Sequence, residues 1–474
     1  MDRLIEIGKV KTYKSNEIAF SKIGTGMEKL DRDVFDPNKV YDKVQNSGVK
    51  YVRLQSGWQR TEKVKGVYDF EWLDSIVDNL ISRGIEPWFC LCYGNELYSE
   101  DANKYFGAVG VPPIHTQKER DAWDNYCRAV AKHYKNRVFM YEVWNEPDGL
   151  YCWKHGTSGK EYGEFVIRTS KAIHSVDEEA KIIGGSIAYR NNIVWFEDAM
   201  KTGMGDYVWA ITYHDYSPTE TRVRETCKIW KAIIDKYNPN VKLIQGEAGC
   251  PSSSKGHGAL MLGAWTEQKQ AKMVIRRLIT DLTTPVEFCS WFTSVDMIEA
   301  LHGKKGDVAS YLDYGYFGFL RALFDENGKS IGEYNEKPSF YALRNVCSIF
   351  KDEVVPFDLP IICTGPDYTE RVFGLTERMQ DIVVYGFKNK KNNSYALAYY
   401  KPTDLMTISF EGLMSFIADM DISEMRLVDL MDGKVYKLPE KMIEEMGSGV
   451  YRLKELPIKD YPMLLTFGKF FEEE

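Results

Sequence analysis

The chain has 474 residues, 44% of them hydrophobic and 27% charged, which is the balance of a globular protein. That length exceeds what one hydrophobic core usually carries, so two domains are expected, one of them large. A net charge of −8 argues against nucleic acid and anionic membrane as partners, because both need a basic footprint.

The opening Met1-Asp2-Arg3-Leu4-Ile5-Glu6 carries acids where a signal peptide needs an apolar core, and no apolar run is long enough to span a bilayer. Residues 1–16 read as polar, with one strand that packs elsewhere. Strand and helix patterns then alternate. The strands are expected at residues 21–26, which end in a glycine-rich exit, and at 49–54, 85–95, 141–144, 181–185, 207–214, 241–247 and 286–292. Helices are expected between them, near residues 70–83, 118–135, 158–176, 219–237 and 266–282. Pro338 sits at the first turn of a closing helix to about Phe350. Eight strands alternating with helices over ~330 residues predict a (β/α)8 TIM barrel. The competing doubly wound sheet, when it binds a dinucleotide, shows a glycine fingerprint after an early strand, and none is present.

After Val355 the period changes to 2. Residues 381–387 and 394–400 flank a polar loop, and Asp432-Gly433 is a tight turn between two further strands. A small C-terminal antiparallel β-sandwich is predicted, giving domains at 17–352 and 353–474, with residues 1–16 as a candidate addition to the second. All eleven tryptophans lie at or before Trp291 and all seven histidines at or before His302, so the chemistry is expected in the first domain. The nine cysteines have no CxxC spacing, which suits neither a disulfide scaffold nor a zinc site and places the protein in the cytoplasm.

The chain is organised around Tyr141-Glu142-Val143-Trp144-Asn145-Glu146-Pro147. The strand breaks at proline, which leaves Glu146 at its C-terminal tip, where barrel enzymes do chemistry. Most other strand ends also carry a polar or aromatic group: Arg53, Asn95, Asn145, His214, Glu247 and Trp291. Glu247 closes the seventh strand beside Gly246, Ala248 and Gly249, which leave room for a ligand. Two glutamates facing one cavity among aromatic residues suit cleavage of a glycosidic bond. One is protonated and donates to the leaving oxygen, and the other attacks the anomeric carbon.

Trp-Asn-Glu-Pro on the fourth strand and a glutamate on the seventh resemble the clan A glycoside hydrolases. The barrel with its C-terminal sandwich is similar to glycoside hydrolase family 39, and Gly66-Val67-Tyr68-Asp69-Phe70 is like a segment of related barrel glycosidases. The resemblance implies a retaining β-glycosidase, with Glu146 as acid/base, Glu247 as nucleophile and Asn145 as donor to the substrate 2-hydroxyl. It implies Trp291 in the sugar platform, with Arg53 and a strand-six aromatic orienting the nucleophile. His214-Asp215-Tyr216 is similar to the clan's His-x-Tyr pair, with Tyr213 as the alternative to Tyr216. Ala248-Gly249-Cys250-Pro251 departs from the aromatic or asparagine that family 39 xylosidases place after the nucleophile.

The expected partner is therefore a carbohydrate substrate, taken by exo action on oligosaccharides or small glycosides, with no cofactor and no metal. An endo-acting glycanase of the same clan and a catalytically inactive carbohydrate-binding barrel are the alternatives. A metal-dependent barrel is disfavoured, since no HxH or HExxH spacing falls at a strand end. A homo-oligomer is left open.

Overall fold

The computed structural model describes residues 4–366 and 382–474. The first strand, β1 (Ile5–Lys9), stands apart from the barrel that follows it. Eight parallel strands then close on themselves: β2 (Ile23–Gly26), β3 (Tyr51–Gln55), β4 (Glu86–Leu91), β5 (Met140–Val143), β6 (Lys181–Ile187), β7 (Ala210–His214), β8 (Lys242–Ala248) and β9 (Cys289–Trp291). The predicted TIM barrel is the observed one.

The helical layer comprises α1 (Tyr41–Ser47), the short α2 (Trp58–Thr61), α3 (Glu71–Ser82), α4 (Gln117–Tyr134), α5 (Gly159–His174), α6 (Ile193–Lys201), α7 (Val223–Tyr237), α8 (Glu267–Asp281) and α9 (Pro338–Ile349). Its starts follow from local chemistry. Thr116 and Glu119 form a reciprocal capping box at α4, Ser158 Oγ accepts from Glu161 N at α5, and Pro338 opens α9.

The barrel interior is filled in layers. Trp88, Met140, Ile183, Ala210 and Ile244, from five successive strands, and Phe288, just before β9, form an apolar plug. Above it, toward the C-terminal mouth, lies a charged layer with Arg53 and Glu142, both fully buried. Beyond β9, two short pairs build up the rim: β10 (Met297–Ile298) with β11 (Tyr314–Gly315), and β12 (Leu320–Phe324) with β13 (Ser330–Glu336).

The C-terminal strands are β14 (Val354–Pro356), β15 (Ile361–Pro366), β16 (Val383–Asn389), β17 (Tyr395–Tyr400), β18 (Glu411–Asp419), β19 (Arg426–Asp429), β20 (Lys434–Lys437), β21 (Ile443–Gly447), β22 (Val450–Lys459) and β23 (Met463–Phe467). They form an antiparallel sheet ordered β1-β20-β19-β23-β17-β16-β14 and a second ordered β15-β18-β22-β21. Tyr399 and Phe416 meet edge-on between the two sheets at 4.8 Å, so the predicted sandwich is present. Residue 381, where the first predicted strand of this region starts, lies outside the described residues. The N-terminal strand packs elsewhere as expected, since β1 pairs with β20.

Barrel and sandwich meet along α8 and at the turn before α7. Arg276 Nε donates to the Asp460 carbonyl at 2.6 Å, Lys272 pairs with the Asp460 carboxylate at 2.7 Å, and the Tyr400 hydroxyl reaches Glu220 at 2.7 Å.

Candidate active site

Arg53 is the hub of the mouth. Its Nε and Nη2 donate to Glu142 Oε2 at 2.8 and 2.6 Å, Nη1 to Glu247 Oε2 at 2.9 Å, and Nη2 also to Asn145 Oδ1 at 2.8 Å. One guanidinium thus joins β3 to the ends of β5 and β8. The remaining Glu142 oxygen accepts from the Thr212 hydroxyl.

Glu146 follows β5 through a turn that L-residues rarely adopt. Trp144 has φ +71° and Glu146 φ +47°, both left-handed, and a bulky residue there marks stored strain. The turn is held by Trp144 Nε1 donating to the Cys152 carbonyl at 2.6 Å and by Glu146 N donating to Ser186 Oγ at 3.2 Å.

Two β-bulges aim the remaining groups. In β6, Gly184 pairs with Ile211 but Ile187 with Tyr213, so one extra residue turns Ser186 inward. In β8, Gln245 pairs with Tyr213 but Glu247 with His214. Strict alternation from inward-facing Ile244 would turn Glu247 out to the helices. The extra residue, Gly246, brings it in, and a Cβ there would stand 3.1 Å from Thr212 Cβ.

The two glutamates meet through His214. Its Nδ1 stands 2.8 Å from Glu146 Oε1 and 3.5 Å from Glu247 Oε2, and its Nε2 is 3.2 Å from Ser186 Oγ. One ligating atom from each of Glu146, His214 and Glu247 lies within 4.8 Å of the others. Burial opposes charge on His214, but Glu247 and then Glu146 outweigh it and raise the imidazole above its ordinary value. Burial likewise works against ionised Glu247, yet His214, Arg53 and the Tyr216 hydroxyl together bring its carboxyl below the usual range. Glu247 is therefore a buried, ionised carboxylate with both oxygens oriented.

These three residues offer geometry that could hold a cation, a set that motif spacing missed because its members come from three strand ends. The donor chemistry fits poorly. Arg53 and Tyr216 already occupy the two oxygens of Glu247, and a guanidinium at 2.9 Å repels a second positive charge.

Residues 5–235 match the model of the family described as Glycosyl hydrolases family 39. The chain resembles the family 39 glycosyl hydrolases. The matched residues hold Arg53, Asn145, Glu146, His214 and Tyr216 and stop short of Glu247. A β-xylosidase of Geobacillus stearothermophilus is 28% identical over 133 residues, 26% of this chain and 26% of that relative. The chain thus spans about a quarter of that curated relative's length. A family 39 glycoside hydrolase from Bacteroides cellulosilyticus WH2 superposes with TM-score 0.64 at 15% identity, covering 94% of this chain and 80% of the other. A monomeric β-xylosidase from Caulobacter crescentus CB15 gives TM-score 0.62 at 16% identity, covering 98% and 97%. The two structures share the fold of this chain.

The structure sorts the expected site residues. Arg53, Asn145, Glu146, His214, Tyr216 and Glu247 come together at the mouth. Three others do not. Tyr213 points to the helical layer, since alternation along β7 sends it away from inward Thr212 and His214, and its hydroxyl has Cys227, Arg277 and Asp281 around it. Tyr216 is the aromatic on Glu247. Trp291 also points outward, in register with Thr25, and is 1% exposed in the core beneath the helices. The next residue, Phe292, is the ring at the mouth, 6.2 Å from Tyr216 and 5.5 Å from Phe317. Asn95 spends both amide hydrogens on the Trp58 and Glu62 carbonyls, at 3.4 and 2.9 Å, and tethers its own loop.

Sequence reasoning missed Glu28, just past β2. Its Oε2 accepts from the Thr293 hydroxyl at 3.1 Å, while Oε1 stands 3.8 Å from Arg53 Nη1 with no hydrogen-bond partner among the described residues. Burial, then the charge of Glu247, push its carboxyl up to about 7, against the pull of Arg53. From 4.5 to about 7 the native state thus keeps a proton that the unfolded chain has released, so this group's stabilisation is lost as pH rises through that window. Glu28→Gln is expected to flatten the fall in denaturation midpoint between pH 5 and 8. Parallel native and variant profiles would contradict this.

Proposed function

We propose that the protein is a retaining β-glycosidase that hydrolyses β-linked sugars of oligosaccharides or small glycosides by exo action. One observation carries the reading: Glu146 and Glu247 present carboxylate oxygens within 4.8 Å of each other and of His214 at the barrel mouth. Retaining enzymes hold their carboxyl groups about 5–5.5 Å apart, whereas inverting ones leave about 6.5–9.5 Å for a water. The exo part is supported by the β-xylosidase relative.

Glu247, ionised and oriented by Arg53 and Tyr216, attacks the anomeric carbon as the glycosidic C–O bond breaks. The proton held along the His214 Nδ1–Glu146 Oε1 contact passes to the leaving oxygen from Glu146. A water then attacks the same carbon, gives its proton to Glu146, and releases Glu247. Asn145, fixed by Arg53 and by Tyr93 at 2.9 Å, takes the sugar 2-hydroxyl, and Phe292 replaces Trp291 as the ring of the sugar platform.

We take residues 17–352 as the catalytic barrel and 353–474 as the sandwich, with residues 1–16 joined to the latter, which the β1–β20 pairing supports. The nine unpaired cysteines suit a reducing cytoplasm. The test is a panel of p-nitrophenyl β- and α-glycosides. Turnover of a β-glycoside by the native protein is expected. Sugar binding without turnover across panel and oligosaccharides would overturn the reading in favour of a binding-only barrel.

A further inference from the structure

The turn that presents Glu146 runs on into Asp148-Gly149-Leu150-Tyr151, and Asp148 fastens it to the loop after β6. The buried Asp148 carboxylate accepts from Ala188 N at 2.9 Å, Tyr189 N at 3.0 Å and Asn192 Nδ2 at 2.9 Å. The Tyr189 ring lies against Gly149, where an added Cβ would be 2.9 Å from Cε2. Tyr151 meets His302 edge-on at 4.5 Å. That same Cβ would be 3.7 Å from the Glu146 carbonyl oxygen, so the Tyr189 ring sits against the turn that carries the acid/base candidate, and Tyr151 follows Gly149 by two residues. Burial, then the charge of Glu146, pushes the Tyr189 phenol up to about 12.

These groups are not core. Tyr151 and Tyr189 are each 45% exposed, Leu150 65% and Val194 72%, with Ile193 at 38%. Exposed apolar residues on two loops that Asp148 ties together, one of them continuing the turn of Glu146, mark a binding surface. The side matters as well: a general acid protonates the leaving oxygen, so the leaving group departs past Glu146, whereas the sugar ring stays with Glu247 and Phe292.

We infer that Tyr151 and Tyr189 form the platform for the leaving group, and that this group is an aromatic aglycone; the inference rests on the glycosidase reading above. Exposed rings stack on an aryl group as well as on a sugar face; the flanking Leu150, Ile193 and Val194, whose side chains have no donor or acceptor for a second sugar's hydroxyls, favour the aryl group.

The test compares three substrates of one sugar on the full chain: an aryl β-glycoside, the glycosyl fluoride with a one-atom leaving group, and the β-linked disaccharide. In Tyr151→Ala/Tyr189→Ala, kcat/KM for the aryl glycoside is expected to fall about tenfold more than for the fluoride, on the scale of two lost ring contacts. The aryl loss should also exceed the disaccharide loss. Tyr151→Phe/Tyr189→Phe, which keeps the rings, should restore the aryl preference. Equal losses on aryl glycoside and fluoride would mean a structural role and overturn the inference. A disaccharide loss as large as the aryl loss would overturn the aromatic assignment. A native protein that turns over none of the three would remove the glycosidase reading itself, and this inference with it.

Discussion

Glu247→Ala is expected to lower kcat/KM on the best β-glycoside by on the order of 10⁴-fold or more, as removal of a covalent participant does in other two-step enzymes. Glu247 is the group whose surroundings are most specialised. Arg53 and Tyr216 fix its two oxygens, and with His214 they keep it ionised despite burial. Alanine removes the attacking oxygens and leaves a space next to Gly246. A small anion such as azide should enter that space, attack the anomeric carbon directly, and restore turnover with the α-glycosyl azide as product. Glu146→Gln should behave differently. Its defect, on the scale of about 10²–10⁴-fold, should be smallest for leaving groups that depart without a proton. Steady-state kinetics with and without azide separate the two roles. Full activity of Glu247→Ala would end the assignment.

The second large effect concerns Arg53→Met. Arg53 and Glu142 have no solvent exposure, and the guanidinium also contacts Glu247 and Asn145. Methionine replaces much of the side-chain volume but leaves two buried carboxylates without their cation. Breaking a buried pair from one side typically costs about 3–5 kcal/mol. The unfolding midpoint in guanidinium chloride should therefore drop sharply, and activity should be lost with it. Adding Glu142→Gln removes one uncompensated charge and should recover a large part of the stability while activity stays lost. A single variant with a native midpoint would show that the network contributes little to folding.

Much of the fold was legible because barrel strands are short apolar runs with clear punctuation, and Trp144-Asn145-Glu146-Pro147 marks its own strand end. The failures share a physical cause. Facing along a strand follows from register, and register here is reset by extra residues in β6 and β8 that no composition signal announces. Trp291 is an aromatic at a strand end, which the resemblance places in the sugar platform, yet alternation from inward Phe288 turns it outward and gives the mouth to Phe292. Tyr213 and Tyr216 could not be ranked without knowing which side of β7 faces the barrel. Asn95 is polar at a strand end, as expected, but loop tethering uses such residues too. Glu28 follows a four-residue strand and carries no motif. In the C-terminal region, β18 and β22 were missed although they pair along most of their length. Val450–Lys459 mixes charge and proline into its run, so its period-2 pattern is weak.

The most direct measurement is proton NMR of the sugar first released when the native protein hydrolyses its best p-nitrophenyl β-glycoside. Two displacements at one carbon, the first by Glu247 and the second by water, predict that the β-anomer appears first and the α-anomer grows in by mutarotation. If the α-anomer were formed first, water would have displaced the leaving group in a single step, and the assignment of Glu247 as nucleophile would be wrong.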